Sequence, residues 1–314
     1  MSTKKVVLIG TGSVGSSFAF AMVNQNLCDE LVLIDVNKEK AAADVHDMQD
    51  GLPNFTTNIT ISHGDYSDCH NADIVCICAG IPQKVGQTRL DLIKTNIGIA
   101  KNITESVVDS GFNGIFLIAS NPVDIISYAV WHYSGFPKEK VIGSGTTLDT
   151  ARLRYQLSCK FNVAPQDITA DVFGEHGDSE FVPWSLAKIG STPLSVYQNK
   201  LNITEDDLNQ IFENTRDAAY KIIQAKGATY YGIAMALSRI CRAILKDERA
   251  ILTTSTLLKG EYGQNNVYAG IPCVVGKAGI INVLEPQLTQ DELEKFKHSS
   301  NVLKENNPLL EELV

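Results

Sequence analysis

The sequence lacks the features that mark membrane proteins and secreted precursors. None of its 314 residues belongs to an apolar run that approaches the ~18 residues of a membrane span. The run that follows the first five residues, Val6–Ile9, is also too short for the core of a signal peptide. We therefore expect a cytoplasmic protein with no membrane partner.

Positive charge is scarce, since the formal net charge is -9. Nucleic acids and anionic membranes attract basic surfaces, so this charge argues against both kinds of partner. A small anionic substrate stays compatible with it, because a pair of arginines can outweigh a diffuse negative surface locally. The composition therefore favours a small-molecule substrate and no nucleic acid.

Clustered cysteines are missing as well. The chain has 7 cysteines, none of them in a C-x-x-C pair, and several lie inside apolar runs. This pattern is typical of small core side chains in a reducing compartment rather than of disulfides or zinc ligands. No other grouping of residues has metal-ligand spacing, so we expect no metal.

Short apolar runs alternate with longer amphipathic stretches through the first half of the chain. Runs that are nearly continuous in apolar residues are typical of strands covered on both faces. The predicted strands are Val6–Ile9, Leu31–Ile34, Ile74–Cys78 and Ile115–Ile118. The predicted helices are Val14–Asn24, Lys38–Gln49 and Leu90–Val108. This order indicates an α/β fold with a Rossmann-type, doubly wound parallel sheet.

The pattern changes near residue 145. The predicted helices here are Leu148–Lys160, one after Thr204, Tyr230–Leu245, and one after the capping box of Thr289 and Glu292. The glycine-punctuated runs Ile251–Leu258 and Val267–Val275 predict antiparallel strands. We therefore expect a first domain with the parallel sheet over residues 1–144 and a second, α+β domain over residues 145–314.

The first predicted strand leads into a G-x-G-x-x-G turn and then a helix. Gly10 permits the tight turn, Gly12 lets the backbone approach a pyrophosphate, and Gly15 lets the helix pack on the strand. Asp35 ends the second strand, 20 positions after Gly15, where a carboxylate accepts hydrogen bonds from ribose hydroxyls. The pattern favours NAD over NADP, so we expect residues 1–144 to form the NAD-binding domain and residues 145–314 the substrate-binding domain. The alternative is that Asp35 only caps the helix that follows it.

Three further segments carry residues suited to the oxidation of a hydroxy acid. Asp149 and Arg152 share one face of a predicted helix, and His176 lies in Gly174-Glu175-His176-Gly177-Asp178-Ser179. An arginine binds a carboxylate bidentately, and a histidine exchanges protons at neutral pH. We expect Arg152 to hold the substrate carboxylate and His176 to take the hydroxyl proton. Asp149 would orient the His176 ring. Taken singly, the histidine is more often structural, and the other two residues could form a plain helical ion pair.

The third segment, residues 79–92, follows a predicted strand and has the glycines that a closing loop needs. It carries Arg89, which alone would more often be a surface residue. Its occurrence together with the dinucleotide turn and the other two segments favours a functional role.

Taken together, these segments resemble the lactate/malate dehydrogenase family over essentially the whole chain. The matching segments are Gly10–Gly15, Gln83–Leu92, Ser120–Asp124, Leu148–Arg152, Gly174–Ser179 and Lys226–Gly232. The last is similar to the bacterial L-lactate-specific members in particular. The resemblance implies an NAD-dependent dehydrogenase of L-2-hydroxy acids and a homotetramer.

The resemblance also implies roles for single residues. His176 is the acid and base, Asp149 its partner, and Arg152 the carboxylate ligand. Arg89 polarises the carbonyl of the substrate, Asn121 forms hydrogen bonds in the active site near cofactor and substrate, and Thr229 lines the substrate pocket. The predicted cofactor-binding residues are Gly10, Gly12, Val14, Gly15, Asp35, Tyr66, Ala79, Gly80, Asn121, Ser144 and Ile233.

In the family, the residue six positions before the loop arginine largely determines which substrate is bound, and this chain has Gln83 at that position. A neutral side chain there is similar to members that act on pyruvate and lactate, whereas malate-specific members carry arginine. A malate or L-2-hydroxyisocaproate-type activity stays open, as does a non-catalytic NAD-binding protein. The intact set of His176, Asp149, Arg152 and Arg89 argues against the last.

Many bacterial members are activated by fructose 1,6-bisphosphate bound between subunits. The resemblance places its phosphate ligands at Arg154 and at position 169, where a histidine is replaced by Thr169. Threonine cannot supply the charge of a protonated imidazole. We therefore expect this allosteric site to be degraded.

Overall fold

A nine-stranded sheet forms the centre of the protein. The computed structural model describes residues 3–54, 58–81 and 89–305, with the side chains of Arg89 and Leu90 excepted. The strands are β1 Lys5–Ile9, β2 Glu30–Ile34, β3 Thr60–His63, β4 Ile74–Ile77, β5 Ile115–Ile118, β6 Val141–Gly143, β7 Ile168–Thr169, β8 Lys188–Ile189, β9 Thr192–Pro193, β10 Ala250–Lys259, β11 Asn265–Gly276 and β12 Gly279–Val283. The large sheet has the order β12-β11-β10-β6-β5-β4-β1-β2-β3, and β7, β8 and β9 form a small separate sheet.

Helices cover the large sheet and build the rest of the second half. They are α1 Ser13–Asn24, α2 Lys38–Gly51, α3 Arg89–Asp109, α4 Val123–Ser134, α5 Thr147–Phe161, α6 Leu194–Leu201, α7 Glu205–Arg216, α8 Ala218–Lys226, α9 Tyr231–Leu245 and α10 Gln290–Lys304. Among the described residues, no helix is both long enough and apolar enough to span a bilayer.

The parallel part of the sheet confirms the α/β prediction. Strands β3, β2, β1, β4, β5 and β6 all run parallel to one another. Every residue of β1, β4 and β5 is buried, as expected of strands with helices on both faces. The order of the strands reverses beside β1, and crevices at such switch points hold ligands in folds of this kind.

The predicted antiparallel strands are also present, and they extend the same sheet. Strand β10 pairs with β6 through Ser255 and Gly143, and β11 and β12 follow in antiparallel order. Gly143 has no side chain, and a Cβ added to it would lie only 2.8 Å from the Cβ of Ser255. This glycine allows close strand contact, so one continuous sheet links the two halves of the chain.

Capping residues fix two helices of the second half. Thr204 and Asp207 form a capping box at the start of α7, and Thr289 and Glu292 form the predicted one at the start of α10. A second apolar core lies among α5, α7 and the small sheet and includes Leu153, Leu157 and Leu208. This core anchors α5, the helix that carries two of the predicted site residues.

Candidate active site

The predicted site residues gather where the parallel strands end. Gly10 follows β1, Asp35 follows β2 and Ser144 follows β6. Ala79 and Gly80 come just after β4, and Asn121 comes after β5. Because the carboxyl ends of parallel strands share one edge of the sheet, residues that are distant in sequence lie along this edge.

The glycine turn has the geometry of a dinucleotide-binding turn. Gly10 has a φ of +97°, and a Cβ there would lie 2.6 Å from the backbone nitrogen of Ala79. A Cβ on Gly15 would fall on the carbonyl oxygen of Gly10, so helix α1 packs closely on β1. Gly12 is different, because a Cβ there meets no heavy atom within 4 Å. This open space at the N-terminus of α1 fits a phosphate group.

Asp35 braces the same turn. Its carboxylate accepts hydrogen bonds from the backbone nitrogen of Thr11 at 2.7 Å and from that of Asn37 at 2.9 Å. Burial favours the neutral acid, but these hydrogen bonds outweigh it and lower the pKa of Asp35. The alternative that Asp35 caps helix α2 does not hold, because Asn37 is the N-cap and accepts from Lys40.

A cavity of about 440 Å³ lies beside this turn. Six predicted cofactor residues line it: Gly10, Gly12, Asp35, Tyr66, Ala79 and Gly80. Val14 packs against the core from α1, and Gly15 is buried in the same helix. Sequence reasoning missed the remaining lining residues, which are Ile9, Ile34, Val36, Cys78, Ile81, Ile99, Asn102 and Ile103. Apolar walls with a carboxylate at one end and an uncapped helix N-terminus fit an adenine dinucleotide.

The predicted acid–base group forms a contiguous cluster. His176 Nδ1 and Asp149 Oδ2 are 2.6 Å apart, and Arg152 Nη1 donates to Asp149 Oδ1 at 3.0 Å. Asp149 is almost fully buried, whereas 27% of the His176 side chain is exposed. Asp149 is therefore both a helical ion-pair partner of Arg152 and the partner of the histidine. Its bond to Nδ1 leaves Nε2 of His176 for a substrate.

Backbone pairing and one buried acid hold His176 in place. Phe173 and Phe181 exchange two backbone hydrogen bonds and close the loop that carries the histidine. The backbone nitrogen of His176 donates to Asp124 Oδ2 at 2.8 Å, and Ser255 Oγ donates to the other oxygen of Asp124. Asp124, in the first turn of α4, thus ties the loop to the sheet.

The charges of this cluster support one another. Burial alone would favour the neutral acid, yet the charges of His176 and Arg152 lower the pKa of Asp149. Asp149 also lies in the first turn of α5, where the helix dipole stabilises a negative charge. The charge of Asp149 in turn raises the pKa of His176 to about 9, against the opposing effect of desolvation. His176 therefore holds a proton at neutral pH.

Three polar residues of the site were given no role in the sequence analysis. Asp124 is 3% exposed, and burial raises its pKa to about 6. Asn96 accepts from the backbone of Ile81 at 3.0 Å and donates to the carbonyl of Asn121 at 2.9 Å, so it joins two of the strand ends. Glu180 is 5% exposed and lies beside His176. The spacing of Asn96 and Glu180 along the chain gave no signal, and Asp124 ends the matching segment Ser120–Asp124 without an assigned role, so only the fold brings the three residues to the site.

The prediction that the protein binds no metal stays a prediction. Asp149, His176 and Glu180 place side-chain oxygen and nitrogen atoms within 4.8 Å of one another. Both oxygens of Asp149 are engaged by His176 and Arg152, and the cation of Arg152 disfavours a second cation beside it.

The other predicted residues lie on several different elements. Asn121 is exposed, Thr229 is partly buried just before α9, and Ile233 packs against the core from that helix. Ser144 is buried and donates its backbone N–H to Ile118. Gln83 and the side chain of Arg89 lie outside the described residues, so their predicted roles are not tested by the structure.

Of the two predicted allosteric residues, one lies at a second cavity, of about 360 Å³. Arg154 lines this cavity and forms an ion pair with Asp171, at 2.6 Å between Nη2 and Oδ1. Its Nε also donates to the carbonyl of Ala170 at 3.1 Å. Thr169 is exposed on strand β7.

Comparison with known proteins covers both halves of the chain. The family model described as the lactate/malate dehydrogenase NAD binding domain matches residues 4–143, and the model of the alpha/beta C-terminal domain matches residues 146–313. An L-lactate dehydrogenase of Geobacillus sp. (strain WCH70) is 55% identical over 302 residues, which are 96% of this chain and 95% of that protein. L-lactate dehydrogenase 1 of Staphylococcus aureus (strain JH9) is 53% identical over 309 residues, which are 98% of each chain.

Solved structures agree with these sequence relatives. The lactate dehydrogenase MGS-M5, from a Medee basin deep-sea metagenome library, superposes with a TM-score of 0.97 at 45% identity and covers 99% of this chain and 100% of its own. The minor L-lactate dehydrogenase of Enterococcus mundtii in its ligands-bound form gives a TM-score of 0.96 at 43% identity, with 99% of each chain covered. By its fold, by both family models and by these relatives, the chain belongs to the lactate/malate dehydrogenase family.

Proposed function

We propose that this protein is an NAD-dependent L-lactate dehydrogenase that interconverts L-lactate and pyruvate. The observation that carries the proposal is the shared carboxylate of Asp149, which holds both His176 and Arg152 in place. This arrangement supplies a proton donor and a cation side by side. The names of the relatives, which are L-lactate dehydrogenases at 53–55% identity, support the same activity.

His176 carries the proton of the reaction. Reduction of pyruvate consumes one proton, and Nε2 of the protonated ring donates it to the carbonyl oxygen. In the reverse direction the neutral ring takes the proton from the hydroxyl of lactate. Because the pKa of His176 is raised to about 9, the ring is charged at neutral pH and ready for reduction. Asp149 holds the ring and stabilises its charged form.

Arg152 binds the carboxylate of the substrate. Only 13% of its side chain is exposed, so a bound anion is poorly screened by water. Arg89 would polarise the carbonyl from the loop, Gln83 would leave the pocket uncharged, and Asn121 and Thr229 would contact the substrate. These roles follow the family resemblance.

The dinucleotide supplies the hydride acceptor or donor when it is bound. Gly10, Gly12 and Gly15 would shape the turn that holds its phosphates, and Asp35 would accept hydrogen bonds from its adenosine ribose. The carboxylate of Asp35 repels a 2′-phosphate, which favours NAD over NADP. Val14, Tyr66, Ala79, Gly80, Ser144 and Ile233 complete the proposed cofactor site.

A panel of three 2-oxo acids tests the proposal. The oxidation of NADH, followed by its absorbance, should be fastest with pyruvate and slower with oxaloacetate and 2-oxoisocaproate. Preference for oxaloacetate would make the protein a malate dehydrogenase, and preference for 2-oxoisocaproate a branched 2-hydroxyacid dehydrogenase. No turnover with any of them, together with NADH binding, would leave a non-catalytic NAD-binding protein.

The proposal includes a domain division between residues 144 and 145 and a homotetramer. Tyr155 and Ile251 are 61% and 59% exposed and line the cavity beside Arg154, so an apolar surface is available for contact between subunits. Light scattering coupled to gel filtration should give four times the mass of the 34.2 kDa chain. A monomer would contradict this part of the proposal.

A further inference from the structure

Glu180 lies on the same loop as His176 and is 5% exposed. Its carboxylate oxygens, those of Asp149 and the ring nitrogens of His176 include atoms that all lie within 4.8 Å of one another. Within the described part of the chain, Oε1 of Glu180 is buried and has no hydrogen-bond partner. A buried carboxyl group with one unpartnered oxygen therefore lies beside the acid–base pair.

A second glutamate of the loop provides a contrast. Glu175 is equally buried at 5%, but its Oε2 accepts a hydrogen bond from the hydroxyl of Ser179 at 2.5 Å. Burying a carboxylate without such partners is costly, so the carboxyl of Glu180 favours its neutral form. Burial, and next the charge of Asp149, raise the pKa of Glu180 to about 9.

We propose that Glu180 is a positioning residue for proton transfer, whose carboxyl sets how tightly the His176–Asp149 pair holds its proton. The inference rests on the proposed function, since it assumes that His176 carries the proton of the reaction. A group that is neutral at low pH and negative at high pH acts on the ring as a variable charge.

The sign of this effect follows from the charges around the two residues. Ionised and ionisable groups face them from helices α4, α5 and α7: Asp124, Asp149, Arg152 and Arg216. Ionisation of Glu180 adds a negative charge beside His176, which favours the protonated ring. A neutral Glu180 adds no negative charge, so it does not repel the anionic substrate. Glu180 thus permits substrate binding at neutral pH and extends the protonated state of His176 at alkaline pH.

The replacement Glu180→Gln keeps the shape of the side chain and removes its ionisation. We expect the pKa of His176 to fall by about one unit, the low end of the effect of an opposite charge at this range. The measurement is a ¹H NMR titration of the ring protons, with the His176 signal assigned by its loss in His176→Asn. The matched control is Glu175→Gln, which alters a partnered glutamate of the same loop and should leave the titration of His176 unchanged.

Kinetics gives a second readout. The alkaline limb of the pH profile of pyruvate reduction should move to lower pH in Glu180→Gln and return toward that of the wild type in Glu180→Asp, which still ionises. An unmoved His176 titration in Glu180→Gln would overturn the inference, whatever the activity. If Glu180→Gln did not fold, Glu180→Ala, which also removes the ionisable carboxyl, would be titrated in the same way and should likewise lower the pKa of His176. Wild-type protein without pyruvate reductase activity would instead refute the proposed function, and the NMR titration would still test Glu180.

Discussion

The cofactor cavity and the acid–base cluster are built in different ways. The cavity is formed largely by glycines and aliphatic side chains at the ends of β1, β2 and β4 and on α3, and its shape at the glycine turn depends on the backbone. The cluster joins charged side chains from α4, α5 and the loop after Phe173, and the contacts of His176 with Asp149 and Asp124 cross from one element to another. A backbone site can be recognised from a contiguous motif, whereas a side-chain network depends on the tertiary fold. The two regions should therefore respond to different substitutions.

The largest expected effect separates the two regions most clearly. His176→Asn removes the acid and base but leaves the glycine turn and Asp35 untouched. Turnover of pyruvate should fall at least ~10²–10⁴-fold, the usual contribution of general acid–base catalysis. NADH affinity, measured by fluorescence titration, should stay the same. His298→Asn, at an exposed position on α10, is the control and should change neither quantity. Near-normal turnover of His176→Asn would refute the assignment of the cluster.

A second substitution tests substrate choice rather than chemistry. Gln83→Arg should raise activity with oxaloacetate and lower activity with pyruvate, because the added cation gains a partner only with a dicarboxylate. An uncompensated buried charge costs about 3–5 kcal/mol, which sets the scale of the change in preference. The ratio of kcat/KM for the two substrates is the measurement, and Gln87→Arg in the same loop is the control. If both variants gave the same ratio, the residue at position 83 would not determine the choice of substrate.

Arg152→Lys makes a smaller change within the cluster. Lysine keeps the charge but loses the planar fork, so it cannot bind Asp149 and a substrate carboxylate in the same geometry. A hydrogen bond to a charged group contributes about 1.5–3 kcal/mol, so KM for pyruvate should rise roughly 10- to 150-fold while NADH affinity holds. Arg239→Lys, which alters a surface pair with Glu248, serves as the control. An unchanged KM would reduce Arg152 to a structural partner of Asp149.

The same contrast explains what the sequence could and could not predict. Strands β1, β2, β4 and β5 and the Gly10–Gly15 turn were predicted because apolar runs and glycine spacing are local signals. Strands β3 and β6 were not predicted. The first is mostly exposed, and the second has only three residues, so neither produces a clear apolar run.

Within the acid–base cluster, too, some residues could be predicted from local spacing and others are placed only by the fold. Asp149 and Arg152 were paired because their spacing along a helix is local, and His176 was added through its neighbourhood and the family resemblance. Asp124 and Glu180 act through contacts across the fold, on elements that have no shared pattern in the sequence. Helix α4, which presents Asp124, follows Pro122 and was not predicted, because its apolar residues surround the helix instead of forming one stripe.

The smallest expected effect concerns regulation at Arg154, away from both regions. We predict weak or absent activation by fructose 1,6-bisphosphate. A phosphate group would have to displace Asp171 from Arg154, but 34% of that arginine side chain is exposed and such pairs contribute only about 0–1 kcal/mol. The absence of a charged histidine at Thr169 costs more, because hydrogen bonds to charged groups contribute about 1.5–3 kcal/mol. Thr169 is therefore the dominant reason for a weak site.

Pyruvate saturation curves with and without millimolar effector test this prediction at neutral and mildly acidic pH. The half-saturating pyruvate concentration of the wild type should change little. Thr169→His should gain a response, strongest at acidic pH where the new ring is protonated, and Asp171→Asn alone should gain less because it removes only the weaker obstacle. A large drop in the half-saturating concentration of the wild type would show that Arg154 suffices. Equal activation of both variants would mean that the ion pair between Arg154 and Asp171, rather than the missing histidine, prevents activation of the wild type.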